Sequence, residues 1–190
     1  MVWKKVVCCV IMLLILTGCG GKNREPAQKA LDLRTALLDA GGCEFTADVE
    51  ADFGDRVYSF SVSCDYTAGE KAVLTVLQPE EIAGITATVS ASGASVDFDG
   101  IALDFGTLAG GRTSAMEAPW LLGQCWSSAY ISSAGADGEL QRITYLEGYG
   151  EGELTVDTWM DSLGHPVRGE IAYDGVRCLT LDISQFQLKT

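Results

Sequence analysis

The chain has 190 residues, 13 basic and 26 acidic side chains, a formal net charge of −13, and 47% hydrophobic residues. That length fits one domain of ordinary size with a substantial core, and an apolar fraction arranged in regular alternation excludes intrinsic disorder despite the acidity. So acidic a surface repels phosphate backbones, which excludes nucleic-acid binding, and it offers no basic patch to anionic headgroups.

The first element is a leader. Lys4 and Lys5 precede an eleven-residue apolar run, residues 6–16, which closes on Leu16-Thr17-Gly18-Cys19. This order of basic residues, apolar run and small residue before a cysteine resembles a bacterial lipoprotein signal. Eleven residues fall well short of the ~20 that a spanning helix needs. The resemblance implies that residues 1–18 are removed as a signal peptide, taking Cys8 and Cys9 with them. Cys19 then becomes the first mature residue and carries diacylglyceryl on its sulfur, with further acylation such as palmitate at the new amino terminus. Loss of Lys4 and Lys5 leaves 11 basic against 26 acidic side chains, a net charge of −15. The expected location is the extracytoplasmic face of a cell membrane, where the acyl chains anchor a body that does not span the bilayer.

Residues 19–25 read as the lipidated terminus and a small, polar tether, and residues 26–190 as the folded domain. Pro26 opens a helix in which Ala30, Leu33 and Leu37 share one face with Leu31 and Leu38 beside them, and Gly41-Gly42 stops it. From Cys43 the apolar period changes from helical to two. Cys43, Phe45, Ala47, Val49 and Ala51 alternate with polar residues, as do Tyr58, Phe60, Val62 and Cys64 after a turn at Phe53-Gly54. Pairing about that turn sets Val49 against Tyr58, Ala47 against Phe60, Phe45 against Val62 and Cys43 against Cys64, with every apolar residue on one face.

Four cysteines remain beside the anchor: Cys43, Cys64, Cys125 and Cys178. An even count in an exported chain points to two disulfides, for which three connectivities exist. Directly opposed residues have Cα atoms about 4.5–5.5 Å apart, near disulfide range, so the register predicts Cys43 with Cys64. Cys125 with Cys178 follows by elimination.

Asp99-Gly100 and Asp174-Gly175 are hairpin signals. The first sets Phe98 against Ile101, Val96 against Leu103 and Ala94 against Phe105; the second sets Tyr173 against Val176 and Ile171 against Cys178. Further strands are expected over residues 71–77, 85–90, 140–146, 154–160 and 179–188. Between Gly106 and Gly138 the alternation fails, and the stretch from Pro119 and Trp120 through Cys125, Ala129 and Ser132 reads as a second helix. The fold class is α+β, mainly antiparallel β: a single long curved sheet with two helices against its concave face.

This order of elements, with Gln78-Pro79-Glu80-Glu81-Ile82-Ala83-Gly84, the segment Val156-Asp157-Thr158-Trp159-Met160-Asp161, and Pro166-Val167-Arg168-Gly169-Glu170-Ile171, resembles the LolA/LolB-like superfamily. That superfamily of exported lipoprotein carriers includes the mycobacterial LppX and LprG type and the Clostridial germination lipoproteins, and the resemblance covers residues 26–188. It implies a half-open barrel whose concave face, partly plugged by helices, accepts acyl chains. Phe45, Tyr58, Phe60 and Val62 are then candidate contacts for an apolar or lipid ligand, and lipid or lipoprotein trafficking is the role that the resemblance implies. The Clostridial members imply an alternative, a non-enzymatic scaffold that binds and stabilises an extracytoplasmic partner protein with its interior filled. A lipid anchor also departs from the freely diffusing carriers, since an anchored chain cannot shuttle across an aqueous space.

Catalytic chemistry is sparse. His165 is the one histidine and falls in a turn, Leu163-Gly164-His165-Pro166, so no Ser-His-Asp or Cys-His set is completed elsewhere. The cysteines lack the spacing of a redox pair or a zinc site. The segment Glu147-Gly148-Tyr149-Gly150-Glu151-Gly152-Glu153 lacks the alternating Asp/Asn ligands of a calcium loop and reads as a solvated turn. Asp97 and Asp99 belong to a hairpin. The expectation is a chain that is not an enzyme and carries no metal or cofactor beyond its covalent lipid.

Overall fold

The computed structural model describes residues 24–97, 107–148 and 150–190. Its elements in chain order are helix α1 (Arg24–Asp39), strands β1 (Gly42–Asp52), β2 (Val57–Thr67), β3 (Lys71–Gln78), β4 (Thr86–Ser90) and β5 (Gly93–Asp97), helix α2 (Ala118–Ser127), then β6 (Tyr130–Asp137), β7 (Leu140–Glu147), β8 (Leu154–Met160), β9 (Pro166–Tyr173) and β10 (Val176–Leu188). The leader, Cys19 and the hairpin expected about Asp99-Gly100 lie outside the described residues.

All ten strands join one antiparallel sheet in the order β5-β4-β3-β2-β1-β10-β9-β8-β7-β6. Each strand pairs with its neighbour in sequence except β5 and β6, which form the two edges of the sheet, and β1 pairs with β10 to join the two halves. The curvature follows from what α2 touches. That helix contacts β2 and β3 on one side and β7 and β8 on the other. β3 and β8 stand five strand spacings apart, about 24 Å if the sheet were flat. A helix only about 10–12 Å across reaches both because the sheet wraps around it, giving the expected half-open barrel.

Alternation on β1 is strict, with Cys43, Phe45, Ala47, Val49 and Ala51 inward and buried. Gly41, at φ 74°, ends α1 in the left-handed region. At Gly42 a Cβ would stand 2.0 Å from the Tyr66 carbonyl oxygen, so only glycine admits the close approach of β1 to β2.

The β1–β2 register differs from the sequence reading by two residues. Cys43 lies opposite Tyr66, Phe45 opposite Cys64, Ala47 opposite Val62, Val49 opposite Phe60 and Ala51 opposite Tyr58. The cause is the turn, which has four residues, 53–56. The Asp52 carboxylate accepts the Gly54 N–H at 2.7 Å, and the Phe53 N–H donates to the Arg56 carbonyl at 2.9 Å. A two-residue shift leaves every apolar side chain on its face. It does remove Cys43 and Cys64 from direct opposition, and Cys43, Cys64, Cys125 and Cys178 are all buried free thiols. Diagonal neighbours on paired strands stand about 7–8 Å apart, beyond an unstrained disulfide.

Two further expectations are corrected. The second helix stops at Ser127, and Ser132 lies in β6. On β10, Ile171 pairs with Leu179, and Cys178 sits in a bulge with its Sγ 3.4 Å from the Ile171 carbonyl. The Asp174-Gly175 turn does pair Tyr173 with Val176. Both turn residues have positive φ, 50° and 74°, as a type I′ turn requires.

Candidate functional site

The concave face is built around α2. Trp126 is fully buried at its centre, with Phe45 of β1 at 5.4 Å between ring centroids and Phe186 of β10 at 5.9 Å. Its indole N–H donates to Thr158 Oγ1 at 3.0 Å, which satisfies a polar pair inside an apolar interior. The helix lies close to the sheet at two glycines. A Cβ on Gly123 would stand 2.6 Å from the Tyr66 ring, and one on Gly169 of β9 would stand 2.8 Å from Leu122 Cδ1. Tyr66 in turn shares a 2.9 Å hydrogen bond with the Ser127 hydroxyl at the helix end.

Arg34 ties the two helices together. Its Nε donates to the Trp126 carbonyl at 3.0 Å, and its Nη2 to the carbonyls of Ala129 at 2.6 Å and Cys125 at 3.3 Å. These are carbonyls at the end of α2, where the helix leaves its acceptors unpaired, so a guanidinium there satisfies both hydrogen bonding and the helix dipole. Pattern reading missed Arg34 and Gly123. The available signal was Gly123 itself, because a glycine inside a helix costs about 1 kcal/mol against alanine and points to close packing.

Of the four candidate contact residues, Phe45, Phe60 and Val62 are buried, whereas Tyr58 is 49% exposed. Tyr58, Phe60 and Val62 share the inner face of β2, so burial falls off in one direction, toward the β1–β2 turn. Tyr58 stands edge-on to Phe53 at 5.6 Å, with the Arg56 guanidinium 5.6 Å from its ring. At the same end Val176, paired with Tyr173, is 69% exposed. The inner face is therefore filled beneath α2 and open in apolar side chains at the rim formed by the β1–β2 and β9–β10 turns. Leu37 packs inside as expected, but Leu31 is 44% exposed and contributes nothing to the interior.

The cysteines are poor nucleophiles. Burial pushes the Cys43 thiol up to about 12 and raises those of Cys64, Cys125 and Cys178 as well. A thiol held protonated neither attacks nor ligates a metal. His165 lies in the β8–β9 turn with Nδ1 3.9 Å from Asp161 Oδ2. Among the described residues no group of three or more His, Cys, Asp or Glu side chains is placed to hold a metal ion. Burial raises the Glu147 carboxyl above the ordinary carboxylate value, and that residue lines a pocket of about 240 Å³ with Arg112, Glu117 and Trp120.

One buried polar atom has a direct consequence. The Tyr145 hydroxyl is buried without a hydrogen-bond partner, and burial drives its pKa upward. An unpaired buried hydroxyl costs about 1–3 kcal/mol of desolvation, so Tyr145→Phe is expected to raise stability by about 1 kcal/mol. Chemical denaturation of both proteins checks this, and a lower midpoint for the variant would show that the hydroxyl is satisfied in solution.

No protein-family model matches the chain, and no curated protein matches it. Solved structures are similar in chain course. A LolA superfamily protein from Nitrosomonas europaea aligns at 8% identity and a TM-score of 0.46, covering 90% of this chain and 95% of its own. LprF from Mycobacterium bovis aligns at 16% identity and a TM-score of 0.34, covering 90% and 99%. The lipoprotein LppX from Mycobacterium tuberculosis aligns at 14% identity and a TM-score of 0.33, covering 85% and 96%. What the chain does is argued below from its own residues.

Proposed function

We propose that this chain is an extracytoplasmic lipoprotein, cleaved after residue 18 and held to a membrane by diacylglyceryl on Cys19, with residues 19–25 as its tether. Its half barrel, residues 26–190, takes an apolar ligand such as an acyl chain at the open rim. One observation carries this reading: along the inner face of β2 the side chains pass from buried Val62 and Phe60 to half-exposed Tyr58. An apolar side chain left open at the end of a concave apolar face is the usual lining of a ligand site. The work is binding, with no catalytic group at the rim among the described residues. A role in lipid or lipoprotein trafficking suits such a site on a membrane-anchored body.

A second reading, a non-enzymatic scaffold for an extracytoplasmic partner protein, is favoured by the way α2 fills the centre of the concave face. Native mass spectrometry with lipid extraction separates the two, on residues 20–190 secreted into an oxidising compartment. The expected result is one co-purified lipid per chain, lost in Tyr58→Asp without loss of folding. A bare chain mass for the unsubstituted protein overturns ligand binding and favours the scaffold. The same spectrum counts thiols, with four free cysteines expected.

A further inference from the structure

Three features converge at the end of the sheet opposite the open rim. The β8–β9 turn, residues 161–165, is held by the Asp161 carboxylate, whose Oδ1 accepts the N–H groups of Leu163 and His165, each at 2.9 Å. The Asp161 N–H donates to the His165 carbonyl at 3.0 Å. This fixed turn presents Leu163 to solvent at 77% exposure, the most exposed large apolar side chain among the described residues. Lys29, in the second turn of α1, donates from Nζ to the Ser162 carbonyl at 3.1 Å and lies 3.6 Å from Glu25. The turn therefore sits against the amino-terminal part of α1.

That part of the helix begins at Arg24, the first described residue. From Cys19 to Arg24 the chain has five residue steps, at most about 17 Å when fully extended. Residues 22–29 hold three of the 11 basic side chains of the mature chain, Lys22, Arg24 and Lys29, beside one acidic residue, Glu25, on a body of net charge −15. His165 adds an imidazole on the turn. Juxtamembrane lysines and arginines gain about 1 kcal/mol each near an anionic leaflet, whereas the rest of so acidic a surface is repelled. The cluster is short and does not bind a membrane alone; it orients a chain that acyl groups already hold there.

Register fixes what this orientation does to the rim. β9 runs from Pro166 to Tyr173, so the turn at 161–165 and the turn at Asp174-Gly175 lie at opposite ends of one strand. Tyr58 shares a cross-sheet row with Ala51, Leu179 and Ile171. Five residues separate Ile171 from Pro166, about 17 Å along the strand.

We propose that the β8–β9 turn and the start of α1 form the face that rests on the lipid bilayer, with Leu163 in the headgroup boundary and Lys29 holding the turn against the helix. The open rim at Tyr58 and Val176 then points away from the membrane, and its occupant arrives from the aqueous side. This rests on the lipid-anchored reading above.

The test uses the full chain, processed and acylated in a bacterium, and reconstituted in phosphatidylcholine–phosphatidylglycerol vesicles. An environment-sensitive thiol probe is placed by Leu163→Cys or by Val176→Cys, the native thiols being buried. Doxyl-labelled phosphatidylcholine is expected to quench the probe at 163 at least about threefold more than the probe at 176, as insertion of a few ångströms into the interface requires. Iodide is expected to show the reverse preference. Equal quenching, or stronger lipid quenching at 176, overturns the orientation. Protection of 163 from iodide without lipid quenching also overturns it, showing a protein cover instead. An intact mass lacking diacylglyceryl on Cys19 overturns the anchored reading itself, separately from any quenching result.

Discussion

Trp126→Ala is expected to lower stability by about 3–5 kcal/mol, the cost of deleting a large buried aromatic side chain from a packed core. The tryptophan is fully buried between Phe45 and Phe186, and nothing near it is free to collapse, because α2 lies close on the sheet at Gly123 and is tied to α1 by the three Arg34 hydrogen bonds. The indole also satisfies Thr158, a fully buried hydroxyl. Removing it leaves that group unpaired at about 1 kcal/mol or more, so Trp126→Ala with Thr158→Val should recover part of the loss. For a domain of this size each kcal/mol is worth about 2–4 °C, so a midpoint drop of about 10 °C is the expected reading. The vacancy would be enclosed and apolar apart from the Thr158 hydroxyl, and indole fits it with its N–H returned to Thr158 Oγ1. Indole should therefore raise the melting temperature of the variant and leave the parent unchanged. A variant that melts within a degree or two of the parent would mean that the concave face is loosely filled, which would return Phe45 to the list of ligand contacts.

The second large effect is at Gly123. Its Cβ would meet three atoms of the Tyr66 ring at 2.6–2.8 Å, and that ring is buried and pinned through its hydroxyl to Ser127. Neither side can yield without lifting α2 from β2. Overpacking of this kind costs about 1–3 kcal/mol and occasionally more, and a β-branched side chain adds bulk at the contact, so Gly123→Val is expected to lose about 3 kcal/mol. Gly135 of β6 has open space around it, and Gly135→Ala should stay within about 0.5 kcal/mol as the control. A cycle with Tyr66→Leu locates the cause: the coupling should exceed about 1 kcal/mol, because the two residues share one contact. Additive losses would place the strain elsewhere.

The period-two pattern of β1 and the glycine pair that stops α1 made the first third of the fold legible, and Asp174-Gly175 announced its hairpin. The β1–β2 register was not legible to within two residues, because a shift of two is silent in an alternating pattern. Only the turn, where Asp52 accepts from Gly54, sets the count, and the expected Cys43–Cys64 bond fell with it. β6 was invisible for a related reason. It ends the sheet at one edge with every side chain exposed or only half-buried, so it lacks the one-sided burial that makes a strand readable, and its first residues, 130–132, were absorbed into the preceding helix.

The candidate site divides along the same line. That Phe45, Tyr58, Phe60 and Val62 belong to an inner face was settled by the alternation of the sequence itself, as the excess of acidic side chains was by its composition. Which of the four is open was decided by tertiary structure alone. Local pattern records which way a side chain points, since that depends on residues two or four positions away. Whether the space it points into is filled depends on Trp126 and Leu122, which arrive on a helix distant in sequence, and on the width of the single glycine, Gly123, that lets that helix meet Tyr66.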